Sequence, residues 1–323
     1  MSHRPTTPPA FMLLLGALGS GLVACSASST NTFGGGGASS TSSGAGGSSS
    51  TGAPGEGGSI GAGLFDGGFA DAGGGGETCA KETQFVYTLT ADNLLLRFDP
   101  PTLIFTVIGT VDCGSFATPY SMAVDRNGQG WTVLTDGSLH QIDTKTAKCT
   151  ATSFVPGQHG FNTFGMGFST DDATGAAETL FVSQADLGGS TTLGLAKIDL
   201  GTMTLTPIGM YDKVDARAEL TGTGDGRLFG AFEGSPYDVA QISKTDAEIE
   251  SQAPQSAINY PPGSSNFAFA FWGGDFFLFV GPGTSTDVFL YEPATGKTTL
   301  KKTVPLEIVG AGVSTCAPTK PPS

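Results

Sequence analysis

The sequence predicts an all-β fold: a five-bladed β-propeller closed by pairing of its N- and C-terminal segments, preceded by a disordered Gly/Ser tether. Three observations carry this expectation. A turn signature recurs at intervals of 44, 56, 44 and 49 residues, the length of a four-stranded blade. A small residue recurs five times inside apolar runs of strand length, with a second small residue two positions before it in four of the five. No helical periodicity of any length appears.

The signature is clearest at the end of 121–150, which reads as two hairpins punctuated by Asn127-Gly128 and Asp136-Gly137. It takes the form Asp143-x-x-Thr146-x-x-x-Thr150. Asp99-x-x-Thr102-x-x-x-Thr106 and Asp199-x-x-Thr202-x-x-x-Thr206 repeat it; Glu292-x-x-Thr295-x-x-x-Thr299 is one methylene longer, and Ser243-x-x-Asp246-x-x-x-Glu250 is degenerate. An acidic residue opening a turn accepts backbone N–H groups through its carboxylate, so these residues are read as turn formers.

The second column is Ala123, Gly167, Gly222, Ala270 and Gly312. Two residues earlier stand Ser121, Gly165, Leu220, Ala268 and Gly310. Residues i and i+2 share one face of a strand. Blades radiate from an axis, so neighbouring sheets come closest at the innermost strand, where small residues are required. Only four repeats are complete. The fifth small pair, Gly310 and Gly312, lies at the C-terminus, whereas the repeat 85–109 lacks an inner strand. Joining the two completes a fifth blade and leaves no sheet open to another chain.

Ahead of the blades, residues 1–24 have the form of a signal peptide: Arg4, then an apolar run 11–24 too short to span a bilayer. The run ends in Leu22-Val23-Ala24-Cys25, which resembles the lipobox of bacterial lipoproteins. The resemblance implies acylation of Cys25, cleavage before it, and the lipid bilayer as a partner. Ser26 stands where that family's inner-membrane retention signal has Asp, which implies the outer membrane. Residues 25–78 contain no Lys or Arg and are dominated by Gly, Ser, Thr and Ala. Such a composition cannot bury enough apolar area to offset its ordering entropy, and it predicts a flexible linker spanning about 40 Å. Gly57-x-Ser59-x-Gly61 matches a hydrolase nucleophile motif by chance, since no strand–turn–helix pattern surrounds it. Leu64, Phe65 and Phe69 are the sizeable apolar cluster near the linker's end.

The folded part is 79–318, with 319–323 as a tail. From residue 79 onward the chain carries 25 acidic and 14 basic residues, a net charge of −11, which disfavours nucleic acid and anionic lipid as partners. Aromatic runs such as Phe267-Ala-Phe-Ala-Phe271 and Phe276-Phe-Leu-Phe-Val280 fit strands packed on both faces. Cys79, Cys113, Cys149 and Cys316 are an even set, as in exported chains with disulfides, and allow three pairings. Cys79 and Cys316 both fall where the terminal blade lacks its hairpin between first and second strands, which predicts a Cys79–Cys316 bridge. Cys113–Cys149 follows by elimination, provided the loop after Thr110 runs back along the second blade.

No constellation announces chemistry. There is no HExxH, P-loop or dinucleotide fingerprint. No CxxC spacing occurs, and only His140 and His159 remain as imidazoles after processing, so neither a zinc site nor a cofactor is expected. Asp125-x-Asn127-x-Gln129-Gly130, with Asp136 at the twelfth position, half resembles a calcium loop, but the strand-like Trp131-Thr-Val-Leu134 interrupts it.

Loops entering the inner strands line the channel mouth, and they carry Tyr120, His159, Asn162, Arg217, Glu219, Asn266 and Glu307. Glu219 and Glu307 are the carboxylate pair that such a mouth would bring face to face. The blades resemble the PQQ-like, NHL and YncE-like repeats, whose units carry similar Ile-Asp-x-x-Thr-Gly turns. That resemblance implies the fold; this chain differs in blade number and lacks tryptophan-docking repeats, so no quinone is carried over. The expectation is a monomeric, lipid-anchored module binding a protein or glycan at the cell surface or periplasmic face. The alternatives are a polysaccharide hydrolase or lyase using Glu219 and Glu307, as in arabinanase-like five-bladed glycosidases, and a scaffold subunit of an envelope complex.

Overall fold

A computed structural model describes residues 79–184, 193–261, 263 and 266–320. The signal segment, Cys25, the linker with its Gly57-x-Ser59-x-Gly61 and Leu64, Phe65 and Phe69, and residues 321–323 lie outside the described residues.

Among the described residues, twenty strands form five antiparallel sheets of four. The first sheet holds β1 (Val86–Thr90), β2 (Leu94–Asp99) and β3 (Ile104–Thr110), and the second β4 (Pro119–Val124), β5 (Gln129–Leu134), β6 (Leu139–Asp143) and β7 (Cys149–Ala151). The third holds β8 (Phe164–Thr170), β9 (Glu178–Gln184), β10 (Leu195–Asp199) and β11 (Thr204–Gly209), and the fourth β12 (Ala218–Gly222), β13 (Leu228–Phe232), β14 (Tyr237–Ile242) and β15 (Ile249–Gln255). The fifth holds β16 (Asn266–Trp272), β17 (Asp275–Gly281), β18 (Thr286–Glu292) and β19 (Lys297–Val304), and the last strand, β20 (Ile308–Val313), returns to pair with β1. Val86 opposes Val313 and Leu89 opposes Gly310, so the first blade is built from both chain ends, as the repeat columns predict. The helical segments among the described residues are two short 3₁₀ turns, Lys81–Gln84 and Gln158–Gly160. No described helix is long and apolar enough to cross a membrane.

The inner strands β4, β8, β12, β16 and β20 pack side by side around the axis. The small column sits here, and its reason is visible at two positions. A Cβ on Gly165 would lie 2.0 Å from the Ala218 carbonyl oxygen, and one on Gly222 would lie 2.1 Å from that of Phe168. Backbone therefore meets backbone between blades three and four. Leu220, the large exception in the column, is tolerated because its backbone faces Gly167, which has no side chain.

Five buried clusters fill the five wedges between blades. Trp131, Val133, Phe164 and Phe168 lie between blades two and three. Phe229, Phe267, Phe269 and Phe276 lie between four and five, and Phe98, Phe277 and Phe279 between five and one. The aromatic runs are core because each sheet is covered on both faces, which is why these strands read as continuous rather than alternating apolar runs.

The recurrent turns join the third and fourth strands of each blade. Asp143 Oδ1 accepts the N–H groups of Lys145 and Thr146 at 2.8 and 3.2 Å. Asp199 Oδ1 accepts those of Gly201 and Thr202 at 2.8 and 3.0 Å. Glu292, one methylene longer, uses its backbone carbonyl instead. The next position is left-handed in every copy, and Leu103, Ala147, Met203 and Ala247 adopt positive φ where only the last copy supplies glycine, Gly296. This is the departure from the Thr-Gly turns of the resembling repeats.

Both disulfides form as the sequence predicts. Cys79–Cys316 spans 237 residues and stands where the terminal blade lacks its hairpin. Cys113–Cys149 spans 36, and the loop after β3 does run along blade two, with Asp112 bridged in parallel to Lys148.

Candidate functional site

Inner strands run away from the mouth, so the residues that open them surround its rim. Tyr120 is the second residue of β4, Arg217 immediately precedes β12, and Glu219 is the second residue of β12. These strands belong to blades two and four. β8 lies between them, and its Gly165 leaves the space through which they reach each other.

Ser121 Oγ donates to Glu219 Oε2 at 2.6 Å and accepts the Met166 N–H at 3.2 Å. Arg217 Nη1 donates to the Tyr120 hydroxyl at 3.4 Å. The same guanidinium grips Glu233 with two N–H groups, Nε to Oε2 and Nη2 to Oε1, the latter at 2.7 Å. It also lies over the Phe267 ring, 4.9 Å from its centroid. Glu233 Oε1 accepts the Gly263 N–H at 2.8 Å as well. A bidentate Arg–carboxylate pair on an aromatic face is a rigid arrangement.

Burial dominates the electrostatics here. Glu219 is 3 % exposed. Desolvation pushes its carboxyl up to about 8, against the Ser121 hydrogen bond and the charge of Arg217. Desolvation likewise lifts the Tyr120 hydroxyl to about 12, with Arg217 opposing. For Arg217 desolvation acts downward, but the bonds to Glu233 and Tyr120 outweigh it and hold the guanidinium charged.

The other residues expected at the mouth make different contacts. His159 and Asn162 are exposed in the connection between β7 and β8, where Asn162 Nδ2 donates to the Gly160 carbonyl at 3.3 Å. Asn266 joins blades five and one: Nδ2 donates to the Ile308 carbonyl at 2.6 Å and Oδ1 accepts the Gly283 N–H at 2.9 Å. Glu307 is half-buried beside Gly283, and its carbonyl accepts the Ala91 N–H at 2.9 Å. Glu219 thus has its contact with Ser121 and feels the charge of Arg217, and Glu307 has its own contacts with the Gly283 and Ala91 turns. Asp125 and Asp136 stand at opposite ends of β5 and cap their own turns, Asp125 Oδ1 accepting from Asn127 and Gln129 and Asp136 Oδ1 from Ser138.

Sequence reasoning misses Glu233, although it lies in the connection between second and third strands that shares the mouth with Arg217. It also misses an apolar crescent on this face. Phe116 is fully exposed, Val155 and Met210 more than half, and Leu193 partly. The segments that carry them touch in series. Ser115 beside Phe116 donates to Asp136; Gly137 abuts Pro156, the neighbour of Val155; Gly160 abuts Leu193; and Gly194 abuts Met210. Asp112, Asp136, Asp212 and Asp215 are exposed on the same segments.

No family model matches the chain, and no curated protein does. Among solved structures it is similar to a chain of a nidogen/laminin complex, with 15% identity over 71% of this chain and 80% of that one at a TM-score of 0.42. It is also similar to TolB from Acinetobacter baumannii (13%, covering 68% and 53%, TM-score 0.41) and to the Dos1 propeller (11%, covering 69% and 55%, TM-score 0.39). The chain spans little more than half the length of those two. Likenesses this distant carry no functional argument, and the propeller rests on its own five sheets.

Proposed function

We propose that this chain is an exported, lipid-anchored binding module whose loop face receives a protein partner. The observation that carries the reading is the crescent of Phe116, Val155, Leu193 and Met210 on one face of a rigid ring. Clustered exposed apolar side chains rimmed by polar groups mark interaction sites more often than chance exposure does. The flanking Asp112, Asp136 and Asp215, beside the Asp212–Lys213 ion pair, favour a partner with basic groups around an apolar centre. Export fits the two disulfides. The anchor rests on Leu22-Val23-Ala24-Cys25, with the following linker giving the ring reach from an outer-membrane surface. The polysaccharide-cleaving alternative needs Glu219 open to substrate, whereas its carboxyl is buried and engaged with Ser121.

Site-specific photocrosslinking in the native envelope tests the reading. A crosslinker at Phe116 is expected to trap one defined partner, whereas one at Asn127, on the opposite face, should not. Introducing Met210→Asp and Val155→Asp should abolish the Phe116 product without changing the melting temperature. Equal products from both faces, or a Phe116 product unmoved by those substitutions, defeats it.

A further inference from the structure

The Cys113–Cys149 bridge has an unusual neighbour. On β6, Ile142 pairs with Cys149 and His140 pairs with Ala151. Alternate residues share a face, so His140 stands diagonally beside Cys149. One ring nitrogen of His140 and the two sulfurs all lie within 4.8 Å of one another.

The ring is held in one orientation. Ser138 Oγ donates to Asp136 Oδ1 at 2.5 Å, which uses its single hydrogen. His140 Nε2, 2.9 Å from the same Oγ, must therefore carry the proton and donate to it. Nδ1 is left with its lone pair, buried and without a hydrogen-bond partner, in a residue 6 % exposed. Buried polar atoms in native folds are nearly always satisfied, so an orphaned one calls for a reason. A carboxylate–hydroxyl relay that orients an imidazole is also how metal-binding histidines are commonly supported. Cys113 also lines a cleft of about 270 Å³ together with Asn93, Asp112 and Ser115.

We propose that this site has two states: a disulfide when oxidised, and a Zn²⁺ site formed by Cys113 Sγ, Cys149 Sγ and His140 Nδ1 when reduced. A dithiol reductant supplies two electrons and two protons, breaking the Sγ–Sγ bond to give two thiols while it closes to its own disulfide. Zn²⁺ then displaces both thiol protons to solvent and takes two thiolates and one neutral imidazole. Ligand atoms around a tetrahedral zinc stand roughly 3.7 Å apart, given Zn–S bonds of about 2.3 Å. Opening the bridge moves the sulfurs toward that separation, and a ring nitrogen of His140 already lies within 4.8 Å of both. Two thiolates and an imidazole match zinc's preference for soft and borderline donors. Water can occupy the fourth position.

The test uses the full chain, reduced with a phosphine, freed of it under anaerobic conditions, and titrated with Co²⁺ as a spectroscopic stand-in for zinc. The reduced chain is expected to bind one Co²⁺ with a thiolate charge-transfer band and tetrahedral visible bands, bleached by Zn²⁺. The oxidised chain should show neither. Cys113→Ser with Cys149→Ser should abolish the band, His140→Ala should weaken binding at least tenfold, and Cys79→Ser with Cys316→Ser should leave it intact. As a second readout, Zn²⁺ should slow alkylation of Cys113 and Cys149 and spare that of Cys79 and Cys316. A reduced chain that takes no Co²⁺, a band undiminished in His140→Ala or His140→Gln, or loss of the blade circular dichroism before metal is bound, each overturns the proposal.

Discussion

Replacing Glu219 with Gln should reshape the pH dependence of stability. Burial raises the folded-state pKa of this carboxyl from 4.5 to about 8. Between those values the folded chain holds a proton that the unfolded chain has released. The contribution of Glu219 to stability is therefore greatest below pH 4.5 and falls as pH rises toward 8, by about 1.4 kcal/mol per pH unit. Over the whole interval the loss approaches roughly 5 kcal/mol, and water reaching the carboxylate through local relaxation trims it to about 2–5 kcal/mol. Gln cannot ionise, and its carbonyl still accepts the Ser121 hydroxyl. Its buried amide N–H groups bring a desolvation penalty of about 1–3 kcal/mol that does not vary with pH.

The two denaturation curves should therefore cross. Glu219→Gln is expected to be less stable than wild type at pH 5 and more stable at pH 8. Urea unfolding with the disulfides intact, at half-unit steps from pH 4.5 to 8.5, measures this directly. Glu178, lifted to about 7 by desolvation against hydrogen bonds from Arg126 and Thr315, tilts both curves the same way and drops out of the difference. Parallel curves would mean that Glu219 ionises without penalty in the folded chain, and that the axial site is open to water rather than closed.

Two further outcomes follow from the covalent framework. Cys79→Ser with Cys316→Ser frees a closure of 237 residues and should lower unfolding stability by about 5–6 kcal/mol, whereas opening the 36-residue Cys113–Cys149 loop should take about 3–4 kcal/mol; urea midpoints that rank the two in reverse order refute the chain-end staple. Cys25→Ser should release the chain from the membrane fraction or leave its signal uncut, and unchanged detergent partitioning removes the anchor from the proposed function.

The blade count, the closure by both chain ends and both disulfides are legible in the sequence because they rest on repeat geometry. Ala123, Gly167, Gly222, Ala270 and Gly312 are small for one steric reason, so five occurrences count five inner strands. The mouth is less legible. A polar residue at the start of an inner strand has two sides to choose between, and sequence gives no sign of which it takes. Tyr120, Arg217 and Glu219 meet across blade three, whereas Asn266 tethers β16 to β20 and Glu307 sits in the entry to β20. Glu233 gives no sequence signal because loop residues after second strands have no repeat column. His140 reads as an isolated imidazole; its alternation with Ile142 on β6, opposite Cys149, is the pattern that places it beside the bridge.

Why Glu219 is buried follows from the ring itself. An inner strand pairs with the second strand along one edge only, so its axial edge carries N–H and C=O groups that need other partners. The neighbouring inner strands are too close for water to fill the gap, as Gly165 and Gly222 show. Side chains supply those partners instead. The Met166 N–H finds Ser121 Oγ, the Phe271 N–H finds Thr221 Oγ1 at 3.0 Å, and Thr170 Oγ1 donates to the Thr223 carbonyl at 3.1 Å. Ser121 can accept from Met166 while donating to Glu219, so the carboxyl completes a chain that satisfies the axis. A polar residue on an inner strand of so narrow a ring is thus required by the backbone before any ligand is considered. The connections around the rim carry no such duty, and Phe116, Val155, Leu193 and Met210 are exposed there.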